Sequence, residues 1–185
     1  PLAKGMFARA PLLLEQVNQL SLHPVAQLLL TTATATRPAF LHHAMSSMAL
    51  AGAIMSHRKA SVGDIRQAML CGLLHDIGEV YVEPVLIERS GPMDLSDHKQ
   101  VVVHPRVAQM LLSTTTDYPE AVTRAIAEHH ERLDGAGYPA RLKGSEISPF
   151  GQLLAVVDTT VALANSPTGP LTRASFALRA VPGEF

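Results

Sequence analysis

Apolar residues recur every three or four positions along almost the whole chain, whereas alternating runs of Val, Ile and aromatic residues are nearly absent. Spacings of three and four place side chains on one face of an α-helix, so the pattern predicts an all-α fold. The predicted helices cover residues 11–20, 24–35, 38–57, 62–75, 95–103, 105–113, 118–131, 147–164 and 171–180.

Residues that favour helix starts support several of these boundaries. Proline is favoured in the first turn of a helix, and Pro24, Pro38 and Pro105 occupy such positions. Asp117 and Glu120 have the spacing of a capping box, which predicts a helix start near residue 118. The segments GPMDLSD, GAGYP with the following RLKGSE, and NSPTGP are predicted loops.

Two adjacent histidines continue the apolar face of the helix predicted at residues 118–131. Val122 and Ile126 lead to His130 in steps of four, and His129 follows Val122 in steps of three and four. The charged residues of this helix are predicted to face elsewhere: Arg124, Glu128 and Glu131. Both imidazoles should therefore point into the core, just before the glycine-rich turn.

Two aspartates, Asp76 and Asp158, also follow apolar stripes and should point inward. Burying an isolated ionised carboxylate is costly, so each needs a cation or strong hydrogen bonds. Another candidate to point inward is His104. The helix predicted at 38–57 is almost wholly apolar, so one of its two adjacent histidines, His42 or His43, should also point inward. This mixture of nitrogen and carboxylate ligands suits a dinuclear Mn, Fe or Zn site better than the all-oxygen sites of Mg or Ca.

Composition narrows the classes of partner and compartment. The 185 residues are 47% hydrophobic, which fits one domain with a substantial core. The formal charge is −1 and only 4% of residues are aromatic, so extended nucleic acid is not an expected partner. No stretch predicts a membrane span, and the single Cys71 is interpreted as a buried core thiol in a cytoplasmic protein. Because the chain begins with Pro1, we expect it to be part of a longer polypeptide.

These residues resemble the HD-GYP subgroup of the HD phosphohydrolase superfamily over residues 38–165. The resemblance rests on five motifs in the family's order: LLHDIG at 73–78, SGP at 90–92, HP at 104–105, HHERLDGAGYP at 129–139 and VVD at 156–158. Their register favours His43 over His42. By position, the resemblance implies seven metal ligands: His43, His75, Asp76, His104, His129, His130 and Asp158. It also implies that Asp76 bridges two ions and is the catalytic residue.

Family members with an intact site are cyclic di-GMP phosphodiesterases of bacterial signalling. The resemblance therefore implies an HD-domain helical bundle in residues 38–185, truncated at its C-terminus and preceded by N-terminal helices or a linker in residues 1–37. It implies two divalent ions, with Fe or Mn favoured over Zn or Ni, and a bridging hydroxide that attacks a phosphodiester. The implied partners are a small phosphoester or cyclic dinucleotide, a signalling domain and a second copy of the chain.

Four positions depart from the family's pattern. Ala39 replaces a glutamate that holds a third metal in some members, which favours two metals. Glu79 stands where the motif HDxGK has lysine, and Val161 and Pro167 replace a carboxylate and an arginine of the substrate-contacting stretch. These changes favour an alternative function, a metal-binding but catalytically weak signalling or protein-interaction module.

Four residues are candidates for substrate contact: Glu79, Tyr138, Arg141 and Lys143. A carboxylate at position 79 would repel a phosphate unless it points to solvent or keeps a proton through a raised pKa. Arg141 and Lys143 are alternatively part of a solvated face. The remaining histidines of interest are interpreted as core residues with local hydrogen-bond partners: His23, His42, His57 and His98.

Overall fold

The computed structural model describes residues 11–87 and 94–165, and all regular structure in these two ranges is helical. A first helix, α1, lies within residues 11–18. The α-helices that follow are α2 (Pro24–Thr36), α3 (Pro38–His57), α4 (Val62–Leu74), α5 (Pro84–Ile87), α6 (Leu95–Val101), α7 (His104–Thr115), α8 (Glu120–Glu128) and α9 (Pro149–Asn165). Two short 3-10 helices lie at Ile77–Tyr81 and Gly144–Glu146. The predicted all-α fold is confirmed.

Most predicted helices agree with the observed ones to within a few residues. The helix predicted at 118–131 is shorter, because Pro119 is its N-cap and the chain turns after Glu128. The predicted capping box is wrong: no side chain caps this start, and Asp117 lies two residues before the N-cap. The segment after α4 contains a 3-10 helix and α5, which the apolar pattern did not predict. The helix predicted at 171–180 lies outside the described residues.

Helices α3 and α4 pack closely against each other at Gly72. A Cβ atom at this position would lie 2.7 Å from the backbone nitrogen of Met48 and from the carbonyl oxygen of Ser47. Only glycine fits this approach without moving the backbone of α3. The contact lies one helical turn from His43 in α3 and three residues before His75, so it brings these two histidines together.

A second close approach places the start of α7 against the turn that follows α4. A Cβ atom at Gly78 would lie 2.1 Å from the carbonyl oxygen of His104 and 2.8 Å from the backbone nitrogen of Ala108. No larger residue could occupy position 78 while α7 stays in place. His104 is therefore held beside the turn that carries His75 and Asp76.

Two apolar clusters support these helix ends. The largest fully buried apolar side chains of the first are Met69, Leu74, Ile77, Leu112, Ile126, Leu154 and Val122. The second contains Val157 with Ala51 and Ala68. Cys71 is buried as predicted, and burial raises the pKa of its thiol to about 12. Helix α2 packs on α3 and on the first 3-10 helix. Within the described ranges, none of the helices combines the length and apolarity that a membrane span requires.

Candidate metal centre

Five helices bring the seven predicted ligands to one place. His43 lies within α3, His75 and Asp76 follow the end of α4, and His104 is the first residue of α7. The other three ligands are His129 and His130 at the end of α8 and Asp158 within α9. Their donor atoms form two groups in which all the donors lie within 4.8 Å of one another: His43, His75, Asp76 and Asp158, and Asp76, His104, His129 and His130.

Asp76 is the only residue shared by these two groups, and each of its oxygens faces a different group. Its Oδ2 atom lies 3.0 Å from His75 Nε2 and 3.5 Å from His43 Nε2. Its Oδ1 atom lies 3.5 Å from the Nε2 atoms of both His104 and His129. One carboxylate could therefore contact two cations, one through each oxygen.

Asp158, in α9, lies close to histidines of both donor groups. Its Oδ1 atom lies 3.1 Å from His43 Nε2 and 3.7 Å from His75 Nε2. Its Oδ2 atom lies 3.8 Å from His130 Nδ1. The two aspartates thus place carboxylate oxygens on two sides of the histidines.

Three of the histidines are oriented by backbone carbonyls three residues earlier in the chain. The Nδ1–H groups donate from His75 to Gly72 at 3.0 Å, from His104 to Val101 at 2.8 Å and from His129 to Ile126 at 2.7 Å. Because a carbonyl oxygen can only accept, Nδ1 carries a proton in each ring. The neutral ring then presents the lone pair of Nε2 to the cluster, as metal-ligating histidines usually do.

The chemistry of this donor set fits a metal ion. The Nε2 atoms of His104 and His129 face each other at 3.3 Å, although in the neutral rings both are acceptors. Two converging lone pairs beside a carboxylate oxygen need a shared cation, which a divalent ion or an extra proton can supply. His75 and His129 are fully buried, so water cannot easily relieve this contact.

Charge interactions keep both carboxylates ionised. Burial alone would raise the pKa of Asp76, but the charge of His75 and a hydrogen bond from His104, whose own pKa is raised, hold it well below its ordinary value. Burial likewise opposes ionisation of Asp158, and its neighbouring histidines also lower its pKa. Both groups are therefore available as anionic ligands.

The histidines divide into two classes by the direction in which their pKa values shift. Burial alone would lower the pKa of His75 and His104, but interactions with Asp76 more than offset it and raise both. Burial lowers the pKa of His129, and burial together with neighbouring imidazoles lowers that of His130. Protons and a metal ion would therefore compete for the nitrogen donors beside the carboxylates.

One edge of the cluster is open to solvent. The side chains of His43 and His130 are 22% and 19% exposed, and those of Asp76 and Asp158 are each 13% exposed. His75, His104 and His129 form the closed inner side. A substrate could reach ions held here only across the open edge.

Glu79 is paired with an arginine that the sequence reasoning missed. The Arg37 Nη1 atom lies 2.5 Å from Glu79 Oε2, and both side chains are largely buried. Burial and the charge of Asp76 raise the pKa of Glu79 to about 7, although His104 and Arg37 act in the opposite direction. Glu79 therefore does not point freely to solvent, and the only signal for its partner was a lone arginine between two apolar helices.

The other candidates for substrate contact occupy different positions. The Tyr138 ring stacks on His130 with 4.6 Å between ring centroids. Burial and the charges of Asp76 and Asp158 raise the pKa of its hydroxyl. Arg141 and Lys143 are exposed, as expected of a solvated face.

The four histidines interpreted as core residues do not belong to the cluster. His42, His57 and His98 are exposed, so the prediction that they are buried is wrong; each lies on the solvent side of its helix or at its end. His23 is half-buried and caps α2, because its Nδ1 atom accepts a hydrogen bond from the Val25 backbone.

Two further glutamates were predicted to face away from the core, and this prediction is wrong. Glu128 is 4% exposed and Glu131 is 1% exposed. Glu128 accepts a hydrogen bond from the Ser148 backbone at 2.7 Å, and Glu131 accepts two from the GYP loop, defined as residues 132–142. Helical periodicity could not reveal this burial, because loops that return to the helix cover both side chains.

Comparisons with known proteins agree with this architecture. The family model described as HD domain matches residues 27–181. The chain is 30% identical over 108 residues to 3'3'-cGAMP-specific phosphodiesterase 3 of Vibrio cholerae. The alignment covers 57% of this chain and 23% of that protein. It is also 30% identical over 136 residues to the cyclic di-GMP phosphodiesterase PA4108 of Pseudomonas aeruginosa. That alignment covers 74% of this chain and 33% of that protein.

A solved structure shows the same fold. Bd1817, an HDG"Y"P protein from Bdellovibrio bacteriovorus, superposes with a TM-score of 0.67 at 20% identity, over 78% of this chain and 48% of that chain. The chain spans well under two thirds of the curated relatives that it matches. From the family match and the shared helical fold, the chain belongs to the HD domain family.

Proposed function

We propose that this chain is a metal-dependent phosphodiesterase domain that acts on a cyclic dinucleotide or another small phosphoester. The observation that carries the proposal is the arrangement of Asp76, whose two oxygens face two separate groups of histidines. Membership of the HD domain family and similarity to proteins named cyclic di-GMP and 3'3'-cGAMP phosphodiesterases support it.

Two divalent ions would be held by the two donor groups, which share Asp76. Mixed imidazole and carboxylate donors favour Fe or Mn, and Zn or Ni would also suit them. When bound, such ions supply Lewis acidity, which polarises a phosphate and makes a water molecule more acidic.

The residues of the chain prepare this chemistry in distinct ways. Asp76 and Asp158 provide the negative charge that retains cations in a buried place. The carbonyl-bound Nδ1 protons of His75, His104 and His129 keep the Nε2 atoms free as donors. The open edge beside His43 and His130 admits the substrate, while the closed side excludes water.

A second candidate function is a metal-binding module with little catalysis, which binds a partner signalling domain. One observation favours it: Glu79 replaces the family's lysine and binds Arg37, so this position offers no free cation to a phosphate. A site of this kind could retain ions while binding a cyclic dinucleotide weakly.

Hydrolysis assays with purified, Mn- or Fe-loaded protein test the two candidates. The substrates are cyclic di-GMP, 3'3'-cGAMP and a generic bis-phosphodiester. Turnover that Asp76→Ala abolishes supports the phosphodiesterase. Metal-loaded protein without turnover on any of them contradicts it and favours the binding module. In that case the double variant Arg37→Met/Glu79→Lys, which supplies a free cation at position 79, should gain affinity for cyclic di-GMP.

A further inference from the structure

Glu131 holds the GYP loop from inside the protein. Its Oε1 atom accepts a hydrogen bond from the Ala140 backbone at 2.6 Å, and its Oε2 atom accepts one from the Leu142 backbone at 3.0 Å. The residue is only 1% exposed. A buried carboxylate that uses each oxygen for a backbone N–H forms strong, charge-assisted hydrogen bonds. The outgoing half of the loop is therefore fixed to the end of α8.

The same loop folds back onto His130. The Tyr138 backbone N–H donates to the His130 carbonyl oxygen at 3.1 Å. A Cβ atom at Gly137 would lie 2.5 Å from this oxygen and from the backbone nitrogen of Arg132, so only glycine permits the return. The Tyr138 ring then lies over the His130 imidazole, with an angle of 30° between the ring planes.

His130 needs such a support because it lacks the one that its neighbours have. His75, His104 and His129 each donate from Nδ1 to a backbone carbonyl. In the described part of the chain, no hydrogen bond of this kind is formed by His130, whose Nδ1 atom instead lies 3.8 Å from Asp158. The His130 ring contacts three other rings. Two of these belong to the candidate ligands His104 and His129, and the third is Tyr138, which lies outside the cluster.

We infer that Glu131 and Tyr138 are positioning residues that set the orientation of the His130 imidazole, Glu131 through the loop and Tyr138 through ring stacking. The inference rests on the proposed function in one respect, the identity of His130 as a metal ligand. At His130, stacking on Tyr138 provides the support that a hydrogen bond to a backbone carbonyl provides at the other three histidines.

Glu128 provides a matched control for Glu131. Both are buried glutamates in the last turn of α8 or just beyond it, and both accept hydrogen bonds from loop backbone. Glu128 contacts Ser148 and Arg124, and these contacts do not lead back to His130. Replacing either glutamate by glutamine keeps the size of the side chain but replaces one of its two acceptor oxygens by an NH₂ group, which can only donate.

The first test uses metal-free protein and NMR of the His130 ring protons. Stacking under Tyr138 should shift these signals upfield, and both Glu131→Gln and Tyr138→Leu should move them toward the values of an unstacked imidazole. Glu128→Gln should leave them in place. Unchanged His130 signals in both Glu131→Gln and Tyr138→Leu would overturn the inference, and so would an equal change in Glu128→Gln.

The second test measures Mn²⁺ affinity and the Co²⁺ absorption spectrum of the same variants. Loss of a group that orients a ligand lowers metal affinity about 10- to 100-fold, so this loss is expected for Glu131→Gln and Tyr138→Leu. Tyr138→Phe keeps the ring and should restore the wild-type affinity and spectrum, whereas a defect as large as that of Tyr138→Leu would contradict stacking as the cause. If the wild-type protein binds no divalent ion, the proposed function fails, while the NMR experiment still decides the orientation of His130.

Discussion

The candidate metal-ligand cluster and the Arg37–Glu79 pair are two largely buried polar groups that lie near each other, and their charges are balanced in different ways. In the pair, a guanidinium nitrogen lies 2.5 Å from a carboxylate oxygen, so the protein neutralises the charge itself. In the cluster, two carboxylates and the lone pairs of buried imidazoles converge, and the Nε2 atoms of His104 and His129 face each other at 3.3 Å.

This difference separates an ion pair that the protein balances by itself from a cluster of donors that a bound cation would stabilise. A closed ion pair gains nothing from a bound metal, whereas converging donors are relieved by one. Glu79 can lie near anionic Asp76 because it binds Arg37 and because burial and the charge of Asp76 raise its pKa to about 7, so that it readily takes a proton.

Replacing Asp76 should cause the largest loss. Asp76→Ala removes the one carboxylate that both donor groups share, so we expect turnover at background level and fewer than about one ion per chain by elemental analysis. The matched control is His42→Ala, which changes an exposed histidine next to His43. If Asp76→Ala retained wild-type metal content, the assignment of the cluster as the metal centre would be wrong.

Breaking the Arg37–Glu79 pair should cost stability without emptying the cluster. Arg37→Met leaves the buried carboxyl group of Glu79 without its partner. Because its pKa is already raised to about 7, this group can take a proton, so we expect the cost of an unsatisfied buried polar group, about 1–3 kcal/mol. The double variant Arg37→Met/Glu79→Met should regain most of this free energy of unfolding. Urea denaturation of the metal-free proteins measures both effects. A single-variant cost below about 1 kcal/mol would show that the pair behaves like an exposed one.

Metal affinity should fall as the pH falls. In the metal-free protein, interactions with Asp76 offset burial and raise the pKa of His75 and His104 above the ordinary 6.5, so a bound ion must displace these protons. Each displaced proton weakens binding by about tenfold per pH unit, beginning at a pH above 6.5. Competition titrations with a chelator measure the slope.

The stability of the metal-free protein should have the opposite pH dependence in this range. A histidine whose folded pKa is raised stabilises the fold fully below its unfolded pKa, and this contribution is lost as the pH rises through the folded pKa. Thermal denaturation with and without Mn²⁺ at several pH values measures how the stability of each form depends on pH. Metal affinity that is independent of pH would contradict the proposed protonation of His75 and His104.

The smallest effects are expected at the exposed cations of the loop. Arg141 and Lys143 are solvent-exposed, and screened surface charges contribute at most about 1 kcal/mol. Arg141→Ala and Lys143→Ala should therefore change kcat/KM by less than about fivefold. A loss of two orders of magnitude in either variant would instead identify that residue as a substrate contact.

Local sequence patterns predicted much of the fold and of the candidate site. Helical spacing from Val122 and Ile126 indicated that His129 and His130 point inward, and both are directed into the cluster. The family resemblance supplied the choice of His43 over His42, and the structure brings His43 to the cluster and leaves His42 exposed. Spacing failed at Glu128 and Glu131, because it describes one helix and not the loops that cover it.

The helical class and the inward direction of His129 and His130 follow from the sequence alone, because helical periodicity depends on residues only three or four positions apart. The groups that support those donors depend on tertiary contacts. The contact of Glu79 with Arg37, the backbone bonds of Glu131 and the stacking of Tyr138 on His130 all join segments through chain reversals and close glycine contacts. Such contacts depend on where the loops return, and no short-range pattern encodes that.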